Sequence, residues 1–146
     1  MQPTLDDFKS TLDRALVQLV KITDSDSQQV PSPGKWSKKQ VLGHLIDSAA
    51  NNHQRFVRAQ LSEELVFPGY EQEGWVAVQH YQDESWDAVI ALWKHYNRHL
   101  LHVMERVPGN LLSRRCIIGE NDTVTLEFLM KDYVVHLKHH LEQILG

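Results

Sequence analysis

Cysteine, long apolar runs and an apolar leader are scarce or absent in this sequence of 146 residues, and each absence excludes a class of protein. The one cysteine, Cys116, excludes an internal disulfide and suits a reducing compartment. No apolar run approaches the roughly 20 residues of a membrane-spanning helix. The first ten residues lack the apolar core of a secretion signal. We therefore expect a cytoplasmic protein that has no membrane partner.

Positive charge is also sparse. The chain has 15 Lys and Arg residues against 19 Asp and Glu residues, and its formal net charge is −4. A protein that binds duplex nucleic acid normally carries a basic stripe. Here the basic residues pair only at Lys38-Lys39 and Arg114-Arg115, which we expect to be solvated. No nucleic-acid partner is expected.

Apolar residues recur at three- and four-residue spacing in four segments, which predicts four amphipathic helices. These helices cover residues 4–22, 37–61 and 84–107, and a last one runs from about residue 125 almost to the final residue. No clear sheet pattern, repeat or second composition accompanies them. The chain is predicted to be all-α, a four-helix bundle that occupies residues 1–146 as one domain.

The boundaries of the helices carry further signals. Ser37 with Gln40 three residues later predicts a capping box at the start of the second helix, and Thr125 predicts the N-cap of the last one. Residues 62–83 form a long connection of the kind that often covers a site, and they have room for a short helix. Residues 113–125 favour a short two-stranded hairpin before the last helix.

The last helix contains three histidines in the run "HLKHH". A helix turns about 100° per residue, so His136 and His140 fall on or beside its apolar face, whereas His139 points away. Two inward imidazoles at i, i+4 can bind one metal ion. A pair of hydrogen-bonded core histidines is an equal alternative on spacing alone.

The other histidines separate by face in the same way. Three on the third helix lie opposite or beside its apolar stripe and are predicted to face solvent: His95, His99 and His102. On the second helix, His44 lies on the flank of the apolar stripe, in line with Ser48, Asn51 and Arg55. A lone histidine there is usually structural unless the second and last helices are neighbours. His53 and His80 show no partner pattern.

The segment "WSKKQVLGHLIDSAANNHQRF", the later "HLKHHLEQI" and the intervening "PGYEQEGW" together resemble the DinB/YfiT-like superfamily. The resemblance covers nearly the whole chain and implies a four-helix bundle with a metal held by three histidines. Carried over by position, these ligands are His44, His136 and His140. Gly43 departs from relatives that have a second histidine there, which puts a neighbouring catalytic base in doubt.

The resemblance implies one divalent metal ion, zinc or nickel by the preference of an all-nitrogen ligand set, and an open coordination position. It also implies a small-molecule substrate. The reaction is open between hydrolysis and transfer of a low-molecular-weight thiol such as bacillithiol. A non-catalytic, stress-associated metal-binding bundle is the alternative, and a structural homodimer without metal is a third. The sequence identifies no general acid or base.

Six further residues are candidates for contacts with the substrate or the ligands. Asn51 and Arg55 lie further along the flank of His44, where they would bind an anionic group or another helix. Asp47 and Asp132 would orient imidazoles or face water. The remaining two would line the mouth of the site under the long connection, or fill the core: Tyr70 and Trp75.

Overall fold

The computed structural model describes residues 1–146, which form six α-helices and three short strands. In chain order these are α1 (Gln2–Leu19), α2 (Asp24–Ser27), α3 (Lys38–Gln60), β1 (Glu64–Phe67), α4 (Gln72–Gln79), α5 (Trp86–Glu105), β2 (Arg115–Ile118), β3 (Val124–Thr125) and α6 (Leu126–Leu145). The four long helices α1, α3, α5 and α6 confirm the predicted four-helix bundle. None of the helices is apolar enough over a sufficient length to cross a membrane.

The order of the long helices around the bundle brings α3 beside α6. α3 packs against both α5 and α6, and α1 packs against the same two helices, so α1 and α3 lie on a diagonal. Large buried aromatic side chains fill the space between the helices: Phe8, Phe56, Trp86 and Trp93. The burial of this apolar surface stabilises the bundle, and the α3–α6 contact determines where the functional side chains meet.

The predicted caps are confirmed. The Ser37 side-chain oxygen accepts the Gln40 backbone N–H at 3.2 Å, and the Gln40 side chain accepts the Ser37 backbone N–H at 2.9 Å. At the start of α6, the Thr125 hydroxyl accepts the Phe128 N–H at 3.1 Å. These bonds satisfy N–H groups that a helix leaves free at its first turn.

The hairpin predicted before the last helix is present, as β2 and β3, but it belongs to a sheet of three strands. The third strand is β1, which lies in the long connection and pairs in parallel with β2. Leu65, Cys116 and Ile118 turn into the core from this sheet. The short helix expected in the connection is α4. The sheet anchors the start of the long connection, and α4 then packs against α3.

Lys39 is buried, so the prediction that the Lys38-Lys39 pair is solvated is wrong for its second member. The Lys39 ammonium donates to the Asp24 carboxylate at 3.1 Å and to the Glu84 carbonyl at 2.6 Å. Asp24 also accepts the Trp86 backbone N–H at 2.7 Å. This backbone hydrogen bond and then Lys39 lower the pKa of Asp24. The contacts join the start of α3 to the start of α5.

Candidate metal centre

Three histidines from two helices converge where α3 lies against α6. His44 comes from α3, and His136 and His140 are one turn apart on α6. The Nε2 atoms of His44 and His136 are 3.3 Å apart, and one ring nitrogen from each of the three residues lies within 4.8 Å of the others. The structure therefore brings together the inward pair of α6 and the flank histidine of α3.

The protonation state of His44 and His136 suits the binding of a metal cation. Burial, followed by the neighbouring imidazoles, lowers the pKa of His44 and of His136 to about 4. Both rings are therefore neutral near pH 7, and each has a ring nitrogen with a free lone pair. Together with His140 they form an all-nitrogen set of ligands of the kind that zinc and nickel favour.

His140 is oriented by a residue that the sequence did not single out. The Gln143 side-chain oxygen lies 2.9 Å from His140 Nδ1. An amide oxygen only accepts, so Nδ1 carries the hydrogen and Nε2 keeps its lone pair. Hydrogen bonds of this kind commonly fix the tautomer of a metal-binding histidine. In the sequence, this contact is indicated by the i, i+3 spacing of the two residues on α6.

His44 is held by packing. Its side chain is fully buried, and the Trp36 ring lies 5.1 Å from its own, at a tilt of 37°. His44 Nδ1 is buried and has no hydrogen-bond partner. The sequence does not predict this contact, because the position of Trp36 before the cap does not reveal that it faces the histidine.

Gly43, the departure from relatives with a second histidine, has a steric reason. A Cβ at Gly43 would lie 2.3 Å from Cδ2 of the buried Tyr81 ring. The Tyr81 hydroxyl donates to Asp47 Oδ1 at 2.7 Å, and the Gln79 amide donates to the same oxygen at 2.7 Å. Asp47 therefore contacts Tyr81 and Gln79 rather than a ring nitrogen. Burial raises the pKa of Asp47, and the two hydrogen bonds oppose this shift.

Two separate cavities adjoin the histidine cluster, one at each α6 histidine. The cavity at His136, here called the small cavity, has a volume of about 260 Å³. It is lined in part by Ser48, Arg55, Tyr70, Asp132 and Tyr133. The cavity at His140, here called the large cavity, has a volume of about 740 Å³ and is lined in part by Lys35, Trp36, Lys38 and Glu73. The cluster can thus be approached from two sides.

The remaining predicted contact residues take different positions. Asp132 is exposed at the small cavity. Asn51 donates to the Asp47 backbone carbonyl at 2.9 Å and, with Trp75, lines a third cavity of about 570 Å³. Tyr70 borders both this third cavity and the small one, and its ring lies 5.3 Å from Trp75. Their roles at the site stay predictions.

The histidines that were predicted to face solvent are exposed: His95, His99, His102 and His139. The sequence did not predict one contact that involves His99. His53 of α3 lies beside α5, where its Nδ1 is 3.0 Å from the Tyr96 hydroxyl and its ring is 5.2 Å from that of His99. The residues come from different helices, so no local pattern predicts this contact.

The chain is similar in sequence to two curated bacterial proteins. Protein OB0413 of Oceanobacillus iheyensis, a candidate metal-dependent hydrolase, is 23% identical over 123 residues, which cover 84% of this chain and 70% of the relative. YfiT of Bacillus subtilis, also a candidate metal-dependent hydrolase, is 24% identical over 131 residues, covering 88% and 74%.

Solved structures show the same architecture. That of YfiT, with a four-helix bundle of unusual topology, superposes with a TM-score of 0.84 at 22% identity, covering 98% of this chain and 82% of its own. A mycothiol-dependent maleylpyruvate isomerase superposes with a TM-score of 0.75 at 16% identity, and this chain spans 60% of its length. The DinB superfamily model matches residues 7–144. With a match over nearly its whole length, the chain belongs to the DinB superfamily.

Proposed function

We propose that this protein is a metal-dependent enzyme that transfers a low-molecular-weight thiol, of the bacillithiol type, to an electrophilic small molecule. His44, His136 and His140 would hold one divalent metal ion, zinc or nickel. The observation that carries the proposal is the position of the three histidines between the small and the large cavity. A reaction between two substrates needs such a meeting point.

A divalent ion held by neutral imidazoles supplies Lewis-acid chemistry, which lowers the pKa of a thiol or of water that binds to it. The protein then has to bind and position the two reactants. The large cavity, lined by Lys35 and Lys38 together with Asp26 and Glu73, suits a polar thiol that carries charged groups of both signs. The small cavity is left for the electrophile.

The transfer itself is a substitution. The sulfur of the thiol forms a bond to the electrophilic carbon, the leaving group departs with its bonding electrons, and the thiol proton passes to solvent. Asp47 Oδ1 accepts hydrogen bonds from Tyr81 and Gln79, and Asp47 Oδ2 is buried without a partner, so no hydrogen bond joins this carboxylate to a histidine of the cluster. A thiolate is already a strong nucleophile, so this reaction makes fewer demands on the protein than hydrolysis does.

Hydrolysis is the second candidate, because the two curated relatives carry the name of metal-dependent hydrolases. It would use the same three histidines, with water in place of the thiol. The two reactions differ in their need for a second substrate, which can be measured directly.

The test incubates metal-loaded protein with chlorodinitrobenzene or bromobimane and a panel of cellular thiols, alongside ester and amide substrates without thiol. We expect thiol-dependent turnover that His136→Ala abolishes. His139→Ala is the matched control, since His139 is an exposed neighbour on the same helix, and it should keep wild-type turnover. Turnover of esters or amides alone would favour hydrolysis. No turnover of any substrate would favour a non-catalytic metal-binding protein.

A further inference from the structure

Arg55 in the small cavity is a half-buried cation that forms no ion pair. Its Nε–H is buried and has no hydrogen-bond acceptor. None of the six ion pairs in the chain includes Arg55. Burial lowers the pKa of the Arg55 guanidinium, in keeping with its partial removal from water. A charge that is partly removed from water and has no counter-ion is destabilised, and an anion bound beside it would offset this cost.

Other arginines show that this state is specific to Arg55. Arg114 is also half-buried, but its guanidinium donates to the Ser62 carbonyl. Arg58 lies one turn further along α3, is exposed, and donates from Nε to the Gln54 side chain at 2.8 Å. Arg55 and Arg58 both stand 5.9 Å from the Phe67 ring centre. Contact with Phe67 is therefore common to both arginines and does not account for the unpaired Nε–H of Arg55.

The cavity around Arg55 determines which anion fits. A guanidinium presents parallel N–H groups that match the two oxygens of a carboxylate. Ser48, Asn52 and Tyr70 add uncharged polar groups to the lining. The one acidic residue of the lining, Asp132, is exposed, so water screens it, and it opposes a second negative charge. One carboxylate in a volume of about 260 Å³ suits these features.

We infer that the small cavity binds the carboxylate of the electrophilic substrate through Arg55, which makes Arg55 a specificity-determining residue. The assignment to the electrophile rests on the proposed function, because it takes the large cavity to be the site of the thiol. Binding of a carboxylate at Arg55 does not depend on the metal. Binding of a carboxylate at Arg55 and the proposed function can therefore be contradicted by different experiments.

The first experiment measures binding of benzoate and of its neutral analogue benzamide by calorimetry. It uses the full chain, as purified and after removal of metal by a chelator, with circular dichroism to check that the helices persist. We expect benzoate to bind both forms at least about tenfold more tightly than benzamide, as a charge-assisted hydrogen bond implies. Arg55→Gln should remove this preference and Arg55→Lys should weaken it. Arg58→Gln is the matched control and should retain it.

Equal binding of benzoate and benzamide by the metal-free wild type would overturn the inference, and so would an unchanged preference in Arg55→Gln. This result is independent of turnover, so a protein that binds benzoate but has no enzymatic activity would contradict only the proposed function.

The second experiment identifies which substrate carries the carboxylate. With a fixed thiol, Arg55→Gln should raise the KM for chlorodinitrobenzoate about tenfold and leave that for the corresponding amide unchanged. A higher KM for the thiol with both acceptors would instead place the carboxylate of the thiol at Arg55, and would overturn the assignment to the electrophile.

Discussion

The molecule carries two groups of histidines with the same i, i+4 spacing, and only one of them converges on a point. On α6, His136 and His140 meet His44 of α3. On α5, His95 and His99 are exposed, and no third metal-binding side chain joins them. Spacing alone does not distinguish the two groups. The difference lies in the face of the helix and in what the neighbouring helix presents to it.

α3 packs against both helices that carry these histidine groups. Towards α6 it presents His44, which is buried and whose Nε2 lies 3.3 Å from His136 Nε2. Towards α5 it presents His53, which is half-buried and already bonded to Tyr96. A metal centre therefore needs free lone pairs on a buried face, whereas an exposed histidine finds its partners in water or in a nearby hydroxyl.

The largest expected effect is on the stability of the metal-free protein against pH. His44 and His136 have pKa values of about 4, below the value of 6.5 for an ordinary histidine. Between pH 6.5 and 4 the unfolded chain binds more protons than the folded chain, so the free energy of unfolding falls as the pH falls. The slope is at most about 1.4 kcal/mol per pH unit for each imidazole. Urea unfolding at several pH values measures it.

Two variants separate the groups in this experiment. His136→Gln removes one half-buried imidazole of lowered pKa, so its stability should depend less steeply on pH. His95→Gln removes an exposed one and should keep the wild-type slope. An identical slope in the wild type and in His136→Gln would contradict the assignment of the pH dependence to the buried cluster.

The next effect concerns the packing next to His44. Gly43→Ala places a methyl group 2.3 Å from the Tyr81 ring. The overpacking costs about 1–3 kcal/mol, which outweighs the gain in helix propensity of about 1 kcal/mol. Chemical denaturation should therefore show lower stability. Gly109→Ala is the control, since no atom lies within 4 Å of its added Cβ. A neutral or stabilising Gly43→Ala would show that Tyr81 moves aside freely.

The smallest effect is expected for Gln143, the hydrogen-bond partner of His140. Gln143→Ala removes the hydrogen bond to Nδ1 and leaves the three histidines intact. Metal affinity should fall about tenfold, the lower end of the range for such partners. Competition with a coloured chelator measures the change. Glu142→Ala, at the adjacent exposed position, should bind metal like the wild type. Unchanged affinity in Gln143→Ala would mean that packing alone orients His140.

Local patterns were sufficient for much of the fold. The four long helices follow from apolar spacing, and the Ser37–Gln40 box follows from residues that are three positions apart. The end of α1 was placed three residues too late, because Ile22 continues the apolar spacing while the helix ends at Leu19. Pairing between β1 and β2 was not predicted, since it joins segments about fifty residues apart with no local mark of the partnership.

The same difference between local patterns and contacts of distant segments applies to the candidate site. The inward orientation of His136 and His140 follows from the face of one helix. The third member, His44, required the family resemblance, because its approach depends on α3 lying beside α6. The Tyr81–Asp47 hydrogen bond and the contact of Trp36 with His44 also join distant segments, so they were visible only in the structure.

We propose that His44 of α3 and His136 and His140 of α6 bind a metal ion, and that the histidines of α5 do not. The most direct test is the metal content per chain, by mass spectrometry, of protein purified without an affinity tag and reconstituted with zinc or nickel. We predict about one ion per chain in the wild type and in His99→Ala, and almost none in His136→Ala. A metal-free wild type, or equal metal content in all three proteins, would contradict the account.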